Sequence, residues 1–170
     1  VLDNNAAHIE TMRGQFEKAR QTFAHVLKCA PQSSFATIAA HEGLARLFLA
    51  TNDLNKCELA LRCVRKELES HEGLGSTYHG SWAAITESRL LLKQGRPNDA
   101  LNLFSDVKSD GDFSRDVPFC IARHLVQAQA AALIGRLHDA AFHLAAASEM
   151  GATSLPELRA QHYYIAGALT

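Results

Sequence analysis

Proline is scarce in this chain, with 4 among 170 residues, and the 10 glycines are hardly more frequent. Most of both fall between apolar stretches, a distribution that leaves long uninterrupted helices and disfavours a turn-rich β architecture. No run approaches the roughly 20 apolar residues that span a bilayer. Nor does the opening Val1-Leu2-Asp3-Asn4-Asn5 have the basic-then-apolar order of a secretory signal. The expectation is a soluble, cytoplasmic protein. Cysteine is limited to Cys29, Cys57, Cys63 and Cys120, without any Cys-x-x-Cys pair, so buried, reduced thiols are expected. Excess charge is also lacking: the formal net charge is −1. Phosphate binding needs clustered Lys and Arg, so neither direct nucleic-acid binding nor membrane-surface binding is expected.

What the chain has instead is a repeated local pattern. Gly14 permits a turn, after which Ala19, Phe23 and Val26 fall at i, i+4 and i+7 on one helical face, and Pro31 stops the helix. The pattern returns at Asn52-Asp53-Leu54 with Cys57, Leu61 and Val64, at Gly95-Arg96-Pro97 with Ala100, Phe104 and Val107, and at Gly135-Arg136-Leu137 with Ala140, Leu144 and Ala147. The small residues Ala19, Cys57, Ala100 and Ala140 are spaced by 38, 43 and 40 positions. A helix–turn–helix unit cannot bury its apolar face alone, so repetition implies hairpins stacked on one another.

The boundaries follow from this pattern. A first helix runs from Val1 to Met12 and pairs with Phe16 to Leu27. Phe35 to Ala50 pairs with Leu54 to Ser70, and a helix starting at Ser76 or Ser81 and reaching Lys93 pairs with Pro97 to Val107. Val117 to Ile134 pairs with Leu137 to Met150, and Leu155 to Leu169 follows as a terminal helix. The turns are Pro31-Gln32-Ser33-Ser34, the break Gly73-Leu74-Gly75-Ser76 and the polar loop Lys108 to Asp112. The expectation is a single repeat domain over 1–170 with units at about 1–31, 35–71, 76–107 and 117–150. A first helix already under way, with no initiator Met, reads as a piece of a longer chain.

These motifs resemble the tetratricopeptide repeat, whose second helix carries Ala, three residues, then Phe, with Pro closing the unit. Ala19-x-x-x-Phe23 with Pro31 matches in full, Ala100-x-x-x-Phe104 matches without the Pro, and Leu61 and Leu144 replace Phe in the other units. His41, Leu44, Ala45 and Phe48 fit the family's first helix, as do Tyr163, Ala166 and Gly167. Ala84, Glu87, Ser88 and Leu91, and Asp3, Ala6, Ala7 and Glu10, fit it less well. The spacing exceeds the family's period of about 34, and such lengthened units are similar to arrays in large bacterial signalling and transcription regulators.

The resemblance implies an all-α fold: a right-handed superhelical stack of antiparallel helical hairpins, a TPR-like α-solenoid of about four hairpins plus a C-terminal helix. It implies a non-enzymatic scaffold whose concave groove takes a protein or peptide segment, or a flanking domain of the same chain. Carried over by position, the groove comprises Asn4 and His8, Glu42 and Arg46, Ile85 and Arg89, and Leu125 and Gln129, with Trp82 near its mouth as core or as aromatic anchor. Arg46 and Arg89, at equivalent positions, would clamp a carboxylate; the alternative is that they are solvated or paired with Glu42 and Glu87. The family's Lys and Asn set for chaperone tails is missing.

No catalytic, metal or cofactor site is expected. His41-Glu42 and His71-Glu72 lack the second His of a zinc-protease helix, and His138 and His143, five apart, point to different sides. Gly73-Leu74-Gly75 lacks the third glycine and preceding strand of a dinucleotide site. Two other functions fit the composition: a small-molecule sensor module of a regulator, and self-association through the terminal helix, whose Leu158, Tyr163 and Ile165 would need cover.

Overall fold

The computed structural model describes residues 2–29, 34–70, 78–104 and 116–169. All regular structure among them is helical: α1 (Leu2–Met12), α2 (Phe16–Cys29), α3 (Ser34–Ala50), α4 (Leu54–Ser70), α5 (Tyr78–Lys93), α6 (Pro97–Asn102), α7 (Val117–Leu133), α8 (Leu137–Glu149), a 3₁₀ turn (Ala152–Ser154) and α9 (Pro156–Ala168). The all-α class expected from the sequence is therefore what the described residues adopt. None of these helices is long and apolar enough to cross a membrane.

Four turns share one construction. After α1, Gly14 donates to the Thr11 carbonyl and Gln15 to that of Glu10; Asn52 and Asp53 do the same to Leu49 and Phe48, Gly95 and Arg96 to Leu92 and Leu91, and Gly135 and Arg136 to Ala132 and Ala131. This doubled closure satisfies two end carbonyls of each helix and requires a left-handed residue at the corner. Glycine supplies that at φ 74°, 72° and 77°, and Asn52, a residue that tolerates it, does so at φ 61°. The residue after the corner also opens the next helix: the amides of Ala19, Cys57, Ala100 and Ala140 each donate to its carbonyl. All four small side chains are 0 % exposed, and Cys57 fills its position as an Ala would.

The chain comprises two compact units, Val1–Leu90 and Leu91–Thr170. In the first, α1 packs on α2 and α3, α2 on α3, and α3 on α4. Ala7, Ala19, Phe23, Val26, Ala40 and Leu47 form one core cluster. Ile38, Ala45, Leu49, Cys57, Ala60, Leu61 and Val64 form a second, which Ala83 and Leu90 of α5 complete. In the second unit α7 packs along α8, α6 lies on α7, and α9 returns onto α7, α8 and the 3₁₀ turn. Asp116 caps α7 by accepting from the Phe119 amide at 3.2 Å, which leaves Pro118 in the first turn, where its missing N–H costs nothing.

Several expectations need correction. The terminal helix does not leave Leu158 and Ile165 uncovered: they are 4 % and 1 % exposed, because α9 folds back instead of projecting. Tyr163 does remain exposed. Cys29 is exposed and Cys63 and Cys120 are half-buried, so only Cys57 is a buried thiol; all four are free. α2 runs past Leu27 to Cys29, since nothing before Pro31 forbids another half-turn. α6 ends at Asn102, with Leu103 and Phe104 in a closing turn. Val107 and the Lys108–Asp112 loop, the Pro31–Ser33 turn and the Gly73–Ser76 break lie outside the described residues.

Candidate functional site

α1, α3 and α5 converge in the first unit, and Arg46 of α3 is the residue about which their polar side chains gather. Its Nε lies 3.8 Å from Glu42 Oε1, one turn earlier on the same helix. Its guanidinium lies 5.3 Å from the centre of the Trp82 ring on α5, within cation–π range. Glu42 is 1 % exposed and accepts from Thr86 Oγ1 on α5 at 3.4 Å. Burial pushes its carboxyl above the usual range, against the pull of Arg46, Thr86 and Arg89.

Arg89 belongs to the same electrostatic set. Burial first, then the like charge of Arg46, lowers its guanidinium to about 10, while Glu42 opposes the change, so it remains cationic at neutral pH. From α1, His8 sets its ring edge-to-face against Phe23 at 5.2 Å and is lowered to about 4 by burial, Arg46 and His79. His79 is lowered by burial and then by Arg46. Both imidazoles are thus neutral at pH 7. Asn4 reaches across to α3, donating from Nδ2 to the Ala36 carbonyl at 3.4 Å. The buried Asn4 Oδ1 and His79 Nδ1 have no hydrogen-bond partner among the described residues, and buried polar atoms of this kind are costly unless something polar meets them.

The structure therefore brings His8, Glu42, Arg46, Trp82 and Arg89 into one neighbourhood, whereas Asn4 meets α3 at Ala36, ten residues before Arg46 along the helix and about 15 Å from it. Ile85, on the same helix, is fully buried and serves as packing. Leu125 and Gln129 belong to α7 in the second unit, where Leu125 is fully buried and Gln129 half-buried. Glu87 pairs with Arg65 of α4 at 2.7 Å, not with Arg89.

Two participants were missed in the sequence. His79 stands three residues before Trp82 on one helical face, a weak signal. Gly43 was the clearer one: an interior glycine in a helical pattern marks a close approach, and here it admits the Phe23 ring.

Among the described residues, Arg46 and Arg89 both act on the buried Glu42 carboxyl, whose pKa is raised by burial, so two cations face one carboxyl group there. Guanidinium groups hold carboxylates by charge-assisted hydrogen bonds, and the neutral imidazoles add neutral donors and acceptors. No described group of three or more His, Cys, Asp or Glu is placed to hold a metal ion. In the second unit Ser148 Oγ lies 2.6 Å from His162 Nε2, a contact that invites comparison with a nucleophile and its base. Ser148 Oγ, however, donates to the Leu144 carbonyl at 2.9 Å, so Nε2–H must be the donor to Oγ. The buried Nδ1 then keeps only an unmet lone pair. That arrangement ties α8 to α9 and does not activate the hydroxyl.

No protein-family model, curated protein or solved structure matches the chain.

Proposed function

We propose that this chain is a helical-repeat scaffold, similar to tetratricopeptide arrays, that holds an extended acidic segment of a partner protein or of a neighbouring domain against the face built by α1, α3 and α5. The observation that carries the reading is the gathering of His8 from α1 and of His79, Trp82 and Arg89 from α5 about Arg46 of α3. The four identically built turns and the packing of α1, α2 and α3 on one another support stacked hairpins; a right-handed superhelical course and a concave face follow from the resemblance alone. A place within a larger signalling or transcription regulator follows from the resemblance alone.

An isothermal titration of short acidic and basic peptides, run beside a screen of small metabolites, tests this. Saturable binding of acidic peptides is expected, weakened at least tenfold in an Arg46→Ala, Arg89→Ala variant, or about 1.4 kcal/mol. Unchanged affinity in that variant overturns the clamp. Saturable binding of a metabolite without any peptide binding turns the reading towards a sensor module.

A further inference from the structure

In the second unit, α7 and α8 bring two imidazoles together at their Nδ1 atoms. Nδ1 of His124 lies 3.0 Å from Nδ1 of His143, with ring centroids 5.2 Å apart and planes inclined at 44°. The two residues are 19 positions apart, and only the hairpin joins them. Burial holds both rings below the ordinary imidazole range. For His124 the neighbouring His143 and Arg123 add to this; for His143, Asp139 opposes it and Arg123 and Arg136 reinforce it. At pH 7 the rings are neutral, and each carries one ring proton and one lone pair.

Two neutral imidazoles in this position have two ways to meet. In one, a single Nδ1–H donates to the other Nδ1. In the other, both ring protons sit on Nε2 and both lone pairs point inward at a shared electrophile. An ion bound at about 2.0–2.1 Å from each nitrogen, at a tetrahedral angle, requires a nitrogen separation of about 3.3 Å, only a few tenths of an ångström beyond the observed one. Moving the single inward proton to its own Nε2 is a tautomer change and leaves the net charge of the pair unaltered.

We propose that His124 and His143 form a two-imidazole site for a divalent transition ion of the zinc class, with water in the remaining positions, and that the ion pins α7 to α8. The donor chemistry selects the metal. Imidazole suits zinc, copper and nickel, whereas calcium and magnesium require oxygen ligands. The charged surroundings make the site an exchangeable one. Arg123 lies with its guanidinium 5.5 Å from the centre of the Phe104 ring, and Arg136 is held by Asp139 through Nε at 2.6 Å. No third His, Cys, Asp or Glu among the described residues completes a protein shell.

The experiment titrates Zn²⁺ into the full chain at pH 7.5 in a Cys29→Ser background. That background removes the exposed thiol whose Sγ lies 3.5 Å from His25 Nε2 and which would compete. One saturable site is expected, with a thermal midpoint that rises on addition of the metal. His124→Gln and His143→Gln should each weaken binding at least tenfold and abolish the metal-induced rise, while His138→Gln changes neither. Cu²⁺ electron paramagnetic resonance on the chain with both histidines intact should show coupling to two imidazole nitrogens, a reading independent of how well the variants fold. Binding that is indifferent to both substitutions, coupling to fewer than two nitrogens, or no saturable site up to about 1 mM metal overturns the proposal and leaves the pair a plain N–H···N hydrogen bond.

Discussion

Phe23 and Gly43 meet more closely than any side chain at position 43 would permit: a β-carbon built there would lie 2.2 Å from Cζ and 2.3 Å from Cε1 of the Phe23 ring. α2 and α3 thus pack ring against backbone. Replacing Gly43 by Ala brings two opposed effects. Removing an interior helix glycine gains up to about 1 kcal/mol, while overpacking a close-fitted core costs about 1–3 kcal/mol. Phe23 is fully buried and its ring edge is held against His8, so it has nowhere to swing and the second effect wins. Gly43→Ala should lower the urea midpoint, and a midpoint at or above that of the unaltered chain contradicts the contact.

Gly135 and Gly167 both have open space where a β-carbon would stand, yet alanine should act oppositely at the two. Gly135 has φ 77°, where a β-carbon costs about 1–2 kcal/mol. Gly167 lies near the end of α9 with ordinary helical backbone, where alanine gains a few tenths of a kcal/mol up to about 0.5. Thermal midpoints should fall for Gly135→Ala and rise slightly for Gly167→Ala.

Ile165, 1 % exposed, is followed in importance by nothing at its neighbour Tyr164, which is 69 % exposed. Ile165→Ala should cost about 2–5 kcal/mol by opening a cavity where α9 meets the second unit's core. Tyr164→Ala should fall within about 0.5 kcal/mol of the unaltered chain. Equilibrium urea unfolding followed by circular dichroism distinguishes them.

Acid should destabilise the fold before the surface carboxylates titrate. His8 is lowered from 6.5 to about 4, and His41, His79, His124 and His143 are also lowered, burial being the first cause in each. Between about pH 6.5 and 4 the unfolded chain binds more protons than the folded one, so stability falls as pH drops through that window. Glu42 acts with the opposite sign. Its folded value is raised above 4.5, so it subtracts stability as pH rises through that value. A Glu42→Gln background removes that opposing group, and in it thermal midpoints should decline from pH 7 to pH 5. His8→Gln should make the decline shallower; an identical slope would remove His8 from the buried set.

Glu42→Gln tests the balance of charge on the α1–α3–α5 face. The substitution keeps the shape and the contact with Thr86 but removes the carboxyl group that acts on Arg46 and Arg89. On the proposed reading, acidic peptides should bind several-fold more tightly, and titration calorimetry would report weaker or unchanged binding if the two arginines face elsewhere.

Much of the fold was legible because it rests on local rules. Each corner needs one left-handed residue, each following helix needs a small residue four positions beyond its opening residue, and both are visible as Gly14 with Ala19 or Asn52 with Cys57. The face around Arg46 was legible in part. Spacing on one helix placed Glu42 beside Arg46, and the resemblance aligned Arg89. That Glu87 turns to Arg65, and that Ile85 and Leu125 are sealed into cores, depends on how neighbouring helices rotate, which helical periodicity alone does not specify.

Secondary structure, corner chemistry and the small positions at Ala19, Cys57, Ala100 and Ala140 were determined by the sequence itself, because hydrogen bonds within a few residues and the 3.6-residue period set them. The return of α9 over Leu158 and Ile165, the Phe23–Gly43 contact, the gathering of His8, His79 and Trp82 about Arg46, and the meeting of His124 with His143 were decided only in the tertiary structure. Each joins parts of different helices, and their distances depend on how closely and at what rotation those helices pack. That is a property of the assembled core and belongs to no single stretch of chain.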